Sequence, residues 1–124
     1  MLRETISITT IDILLKQFDS DRLLSLIKAD IEGYEYEILC GAEQSIEKHN
    51  PCLLMEASVN RNEILEFLWQ RSYTVFALKN YSGKSREQLE LVQIDNNEEN
   101  QTRNILAIHE SKRNFLGAIQ TQFC

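Results

Sequence analysis

Four glycines are all this chain has, and Gly33, Gly41, Gly83 and Gly117 lie too far apart to build a phosphate-cradling turn. Neither a G-x-G-x-x-G turn nor a P-loop is present, so a glycine-built nucleotide cradle after a first strand is excluded. Cysteine is equally sparse: Cys40, Cys52 and Cys124 form no C-x-x-C pair and leave an odd number. No disulfide framework is expected, and the thiols read as reduced, packed small hydrophobes of a cytosolic protein. There is no charged-then-apolar leader and no apolar run of membrane-spanning length, so no membrane partner is expected. Thirteen basic residues are scattered among 19 acidic ones, and a net charge of −6 argues against nucleic acid, which needs a basic face. No serine lies in a G-x-S-x-G elbow, which leaves a hydrolase triad without an anchor. His49, at a helix end near the last carbonyls, and His109, closing a strand at the surface, have no third ligand at zinc-site spacing.

What is there reads as one domain of 124 residues with an apolar fraction of 43%, enough for a core. Thr9 or Thr10 caps a short helix through about Phe18, with Asp12 in its first turn, where the helix dipole favours an anion. Residues 23 to 31 read as a buried, apolar strand. From Tyr34 to about His49, Tyr34, Ile38, Ala42 and Ile46 fall four apart beside Leu39, the face of one helix that Asn50-Pro51 ends. Cys52 to Met55 is a second short strand, closed by Glu56. Asn60 and Glu63 have capping-box spacing before a helix that buries Ile64, Leu65, Leu68 and Trp69. Tyr73 to Leu78 is a third strand. A polar stretch follows, with a short strand at Leu89 to Ile94 and a solvated loop from Asp95 to Asn100, before a last strand at Asn104 to His109. The tail from Asn114 to Cys124 adds a short helix or frays. Strands alternating with helices imply an α/β domain with a mostly parallel sheet. The final pair of strands, with no helix between them, can instead meet antiparallel.

The chemistry concentrates where the first strand ends. Alternation puts Lys28, Asp30 and Glu32 on one side and Ala29 and Ile31 on the other. In a parallel sheet the carboxyl ends share one rim, so Asp30 and Glu56 are expected to face one pocket. Asp30 in that setting serves as a general base, holds a substrate hydroxyl or amine, or binds a divalent metal with Glu56. The plainer alternative is a structural Lys28–Asp30 ion pair, with Glu32 and Glu35 favouring the next helix's N-terminus. Tyr34, Tyr36 and Trp69 have the spacing to stack a ring, although aromatics at helical spacing usually belong to the core.

The string Leu26-Ile27-Lys28-Ala29-Asp30-Ile31-Glu32-Gly33-Tyr34-Glu35, preceded by Thr10-Ile11-Asp12 and followed by Ile38-Leu39-Cys40-Gly41-Ala42 and by Pro51 with Leu53-Leu54-Met55-Glu56, resembles the FkbM-like family of S-adenosylmethionine-dependent methyltransferases. Asn104 to Ile108 fits that family's last strand, and Ala29 departs from it in replacing a larger apolar residue. The resemblance spans about residues 9–109, with 110–124 as a tail, and matches the family's carboxyl-terminal half. It implies a partial Rossmann-like class I methyltransferase sheet with strands equivalent to 4-5-7-6 and flanking helices. It also implies methyl transfer from S-adenosylmethionine, the cofactor, to a small hydroxyl-bearing acceptor, with Asp30 near the transferred methyl group, Glu56 at the rim, and Lys28 and Glu32 in support. The glycine-rich turn and the acidic residue that hold the cofactor in that family have no counterpart in this sequence, so its binding residues are not identified and the chain alone is expected to be inactive. The bare edge of strand 23–31 then implies self-association or an amino-terminal partner. A non-catalytic interaction module derived from the half-sheet is the alternative.

Overall fold

Alternating burial along the strands at 26–29 and 73–77 and buried side chains on three of the helices bring one apolar layer together. The structure, a computed structural model, describes residues 2–18, 21–83, 86–95, 102–114 and 117, without the side chains of residues 80–89. Helix α1 (Ile11–Lys16) is followed by strand β1 (Leu26–Ala29), helices α2 (Glu35–Gly41) and α3 (Glu43–His49), strand β2 (Cys52–Glu56) and helix α4 (Arg61–Gln70). Strands β3 (Tyr73–Gly83), β4 (Arg86–Gln93) and β5 (Asn104–His109) complete the order, with a 3₁₀ turn at Glu110–Lys112. The tail and loop readings fall mostly on residues 96–101 and 115–124, outside the described residues apart from Gly117.

The five strands form a single sheet in the order β1-β2-β5-β3-β4. β1 and β2 are parallel, with Leu26 against Cys52 and Ala29 against Met55. β5 runs antiparallel to both its neighbours, β2 and β3. The strand read at Tyr73–Leu78 and the last strand, β3 and β5, meet antiparallel, whereas β4 pairs with β3 and not with β5. Among the described residues only β1 and β2 are parallel, so the sheet is mostly antiparallel and not mostly parallel as the alternation of strands and helices implies. One sheet face supplies Ile27, Ala29, Leu53, Met55, Val75, Ala77, Ile105 and Ala107 to the core, where they meet Leu39, Ile46, Ile64 and Leu68 from the helices. Several of these side chains are fully buried, each worth about 1.5–3 kcal/mol relative to exposure.

The structure changes several local readings. The helix expected over 34–49 is two helices, broken at Ala42 (φ −116°, ψ 10°). The break has a remote cause: Asp12 reaches from α1 to accept hydrogen bonds from the Gln44 backbone N–H at 3.0 Å, the Ser45 N–H at 2.8 Å and the Ser45 hydroxyl at 2.6 Å. It caps α3 from outside. Gly41 makes room for this approach, since a Cβ there would stand 3.2 Å from the Thr10 side chain. Thr10 caps α1 as expected, its hydroxyl accepting from the Ile13 N–H at 3.2 Å. The Asn60–Glu63 capping box does not form: Asn60 is left-handed (φ 53°) and its side chain makes no cap bond. Arg61 instead ties the start of α4 to the Ala57 and Thr102 carbonyls at 3.1 and 2.9 Å. β1 is shorter than the strand expected over 23–31, because Ile31 already belongs to the following turn. β3 and β4 are longer than expected, forming an antiparallel hairpin out to Gly83 and Arg86. Tyr34 and Cys40 are exposed, whereas Cys52 is buried.

Candidate active site

The parallel pairing of β1 with β2 ends at Ala29 against Met55, so Asp30 and Glu56 follow at the same rim of the sheet. Residues two apart on a strand face one side. Lys28 and Asp30 accordingly stay exposed while Ala29 between them is buried. Lys28, Asp30 and Glu56 line one cleft of about 320 Å³, walled by Leu54 and Leu78 and joined by Asn104. Asn104 enters because β5 sits beside β2 in register, opposite Glu56. Glu56 Oε1 accepts a hydrogen bond from the Ser58 hydroxyl at 3.3 Å and lies 3.9 Å from the exposed Arg103 guanidinium. Three of the four sequence-selected residues are thus assembled together. Glu32 is exposed, with φ 50°, in the turn after β1, and does not line the cleft.

Sequence reasoning missed what holds this rim in shape. Glu35, only 1% exposed, folds back over the turn before its own helix. Its carboxylate accepts from the Gly33 N–H at 3.0 Å and the Ile31 N–H at 3.3 Å. The turn needs that support because Glu32 (φ 50°) and Gly33 (φ 109°) both lie at positive φ. The spacing Asp30-x-Glu32-Gly33-x-Glu35 therefore divides labour: the first carboxylate faces the cleft and the last fixes the loop that carries it. A carboxylate two and four residues beyond two N–H groups was the available signal. Asn104 had none, because only the inserted position of β5 brings it to Glu56.

Burial has chemical consequences elsewhere in the domain. Burial pushes the Tyr73 hydroxyl up, with the Cys52 thiol adding to it; that hydroxyl donates to the Pro51 carbonyl at 2.7 Å. Burial likewise pushes the Cys52 thiol up, against a smaller opposing pull from Lys112, so Cys52 is a packed thiol and a poor nucleophile. Among the described residues no three His, Cys, Asp or Glu side chains gather in a metal-binding group, and no helix is long and apolar enough to cross a membrane.

The residues present do not fit a whole S-adenosylmethionine. The cleft offers two carboxylates, a cation and an amide, but no backbone cradle. Gly33 faces Val59, and Gly41 is taken up by the contact with Thr10. The fit is to a small polar group at the rim. Compared with known protein families, residues 3–75 match the family model described as the methyltransferase FkbM domain. That stretch runs from before α1 to the start of β3 and holds Lys28, Asp30, Glu32, Glu35 and Glu56. No curated protein and no solved structure matches the chain.

Proposed function

Since the chain belongs to the FkbM methyltransferase domain family, we propose that it provides the acceptor side of methyl transfer from S-adenosylmethionine to a hydroxyl oxygen. The observation that supports this most is the convergence of Lys28, Asp30 and Glu56 on one cleft at the carboxyl ends of two parallel strands. S-adenosylmethionine supplies an electrophilic methyl group when bound. Asp30 accepts the acceptor's hydroxyl hydrogen bond and takes its proton, which raises the nucleophilicity of the oxygen. Glu56 and Asn104 fix the acceptor's other polar groups. Lys28, on the same face as Asp30, balances the carboxylates, and Glu32 supports the loop from its outer side. Leu54 and Leu78 wall the cleft against water. In this reading β1, β2, β5 and β3 correspond to 4-5-7-6 of a class I methyltransferase sheet, with β4 an added strand beyond β3, an assignment supported by the position of antiparallel β5 between β2 and β3.

The reading extends to a partner. Among the described residues β1 lies at the edge of the sheet and pairs with β2 alone, and Leu26 on it is 55% exposed. An apolar edge of this kind recruits another strand, from a second copy or from the chain that carries the cofactor-binding residues.

The direct test uses extracts of cells producing the chain, supplied with tritium-labelled S-adenosylmethionine. Label entering small hydroxyl compounds should depend on the chain and disappear with Asp30→Asn at an unchanged melting temperature. Equal labelling by wild type and variant would refute the role of Asp30. Calorimetric titration of the purified chain with S-adenosylmethionine should show no micromolar binding; such binding would overturn the acceptor-side assignment.

A further inference from the structure

A second cleft, larger than the one at the carboxylate rim, lies between α1, the segment leading into β1, and α3. It encloses about 450 Å³, within the size range of small-molecule pockets. Lys16, Arg22, Lys48 and His49 all line it. In a chain of net charge −6, the three cations Lys16, Arg22 and Lys48 around one hollow, with the His49 imidazole beside them, are a local reversal of sign. None of them makes an ion pair within 4.0 Å among the described residues. The acidic group facing them, Asp12, is committed to the N-terminus of α3 and feels Lys16 only as a minor influence.

Cations in a last helical turn often serve the helix's own unpaired carbonyls. That explanation fails for this cleft. The Leu14 and Leu15 carbonyls of α1 accept from the Gln17 and Phe18 N–H groups at 3.1 and 3.2 Å. In α3 the Ile46 carbonyl accepts from the Asn50 N–H at 2.8 Å, and the His49 carbonyl from Lys112 Nζ at 3.1 Å. Arg22 belongs to no helix at all. These four carbonyls are served by other donors, and among the described residues no carboxylate forms an ion pair with the lining Lys or Arg side chains. Between them the wall is apolar, with Phe18 62% exposed and Leu23 63% exposed. So large an exposed aromatic surface beside unpaired cations suits a ligand that is itself divided between charge and carbon.

We propose that this cleft binds a small organic phosphate ester, its dianion held by Lys16, Arg22, Lys48 and His49 and its apolar body against Phe18 and Leu23. Arg presents a planar fork to phosphate oxygens and Lys a point charge. The protein's overall negative charge repels anions at a distance, so binding depends on these local contacts.

The experiment is a titration of the full chain with phenyl phosphate, followed by ¹H–¹⁵N correlation spectra. Saturable shifts at the Lys16, Arg22, Lys48 and His49 amides are expected, with inorganic phosphate and phenol each at least about tenfold weaker. The double variant Arg22→Glu, Lys48→Glu should weaken phenyl phosphate by more than about tenfold while its spectrum elsewhere is retained. Absence of saturable shifts overturns the proposal, as does undiminished binding by the double variant. Equal binding of phenol or of inorganic phosphate overturns it through the wild-type chain alone. Co-sedimentation with phosphatidic acid vesicles without phenyl phosphate binding would assign the cations to a lipid surface and overturn it too. The site does not involve the carboxylate cleft, so its fate is independent of the methyl-transfer reading.

Discussion

Replacing Glu35 tests how the rim is held. Its carboxylate is buried and meets two N–H groups, at 3.0 Å from Gly33 and 3.3 Å from Ile31. It makes no ion pair among the described residues. A hydrogen bond to a charged group contributes about 1.5–3 kcal/mol net, and the longer bond takes the lower end. Glu35→Ala removes both and leaves two donors on a turn already at positive φ, so a loss of about 3–4 kcal/mol is expected. Glu35→Gln keeps one acceptor oxygen and turns an NH₂ toward the other donor, for a loss of about 2 kcal/mol. In a domain of this size each kcal/mol moves the melting temperature by about 3–5 °C. Thermal unfolding followed by circular dichroism should therefore show drops of about 10–15 °C for Ala and about half that for Gln. Hydrogen exchange at the Ile31 and Gly33 amides should accelerate in both variants. An alanine variant melting within about 3 °C of wild type would show that Glu35 does not support the turn.

The Asp12 cap carries a pH dependence. Burial, the largest single influence, pushes its carboxyl up, but the Ser45 side chain, the Ser45 and Gln44 backbone and Lys16 together hold it below the ordinary value of 3.8. The unfolded chain then binds the proton more readily, so the cap's contribution is complete above about pH 4 and is lost as pH falls through the lowered folded value. Asp12→Ala should cost about 1–2 kcal/mol at neutral pH, as other N-cap removals do, and the gap to wild type should narrow in acid melts. For the β1 edge, multi-angle light scattering of the purified chain should report a dimer or larger species, and Leu26→Lys should shift it toward monomer. A stable, monodisperse wild-type monomer would sink the edge assignment.

Much of this arrangement is legible in the chain because it is local. Apolar spacing gives the order of strands and helices, and it selects Leu39, Ala42, Ile46, Ile64, Leu65 and Leu68, all buried. Thr10 announces its own helix. Lys28, Asp30 and Glu56 can be gathered from strand ends alone, since parallel pairing puts those ends on one rim. What escapes depends on contacts distant in sequence. The helix break at Ala42 is set by Asp12, more than thirty residues earlier, and spacing within 34–49 contains no trace of it. The long β3–β4 hairpin runs through a segment whose polar composition reads as loop. Asn60 has the right neighbour three residues on, but its backbone is left-handed and its side chain makes no cap bond, and the half-buried Arg61 ties the helix start instead.

The place of β5 fixes the order in which this domain can assemble. It is the last strand made, yet it stands between β2 and β3 and pairs with both. Until residues 104–109 leave the ribosome, β2 and β3 have no common neighbour and each offers a raw edge. The pairing of Leu53 with Ala107 closes a loop of about fifty residues, a long-range contact whose entropy has to be met before the sheet gains anything from it. Folding is therefore expected to be slow, with a sticky intermediate before β5 docks that favours chaperone capture. A frame shortened ahead of Asn104 would retain most of the cleft-lining residues and α1 to α4, yet leave the β1–β2 pair and the β3–β4 hairpin with no strand to join them.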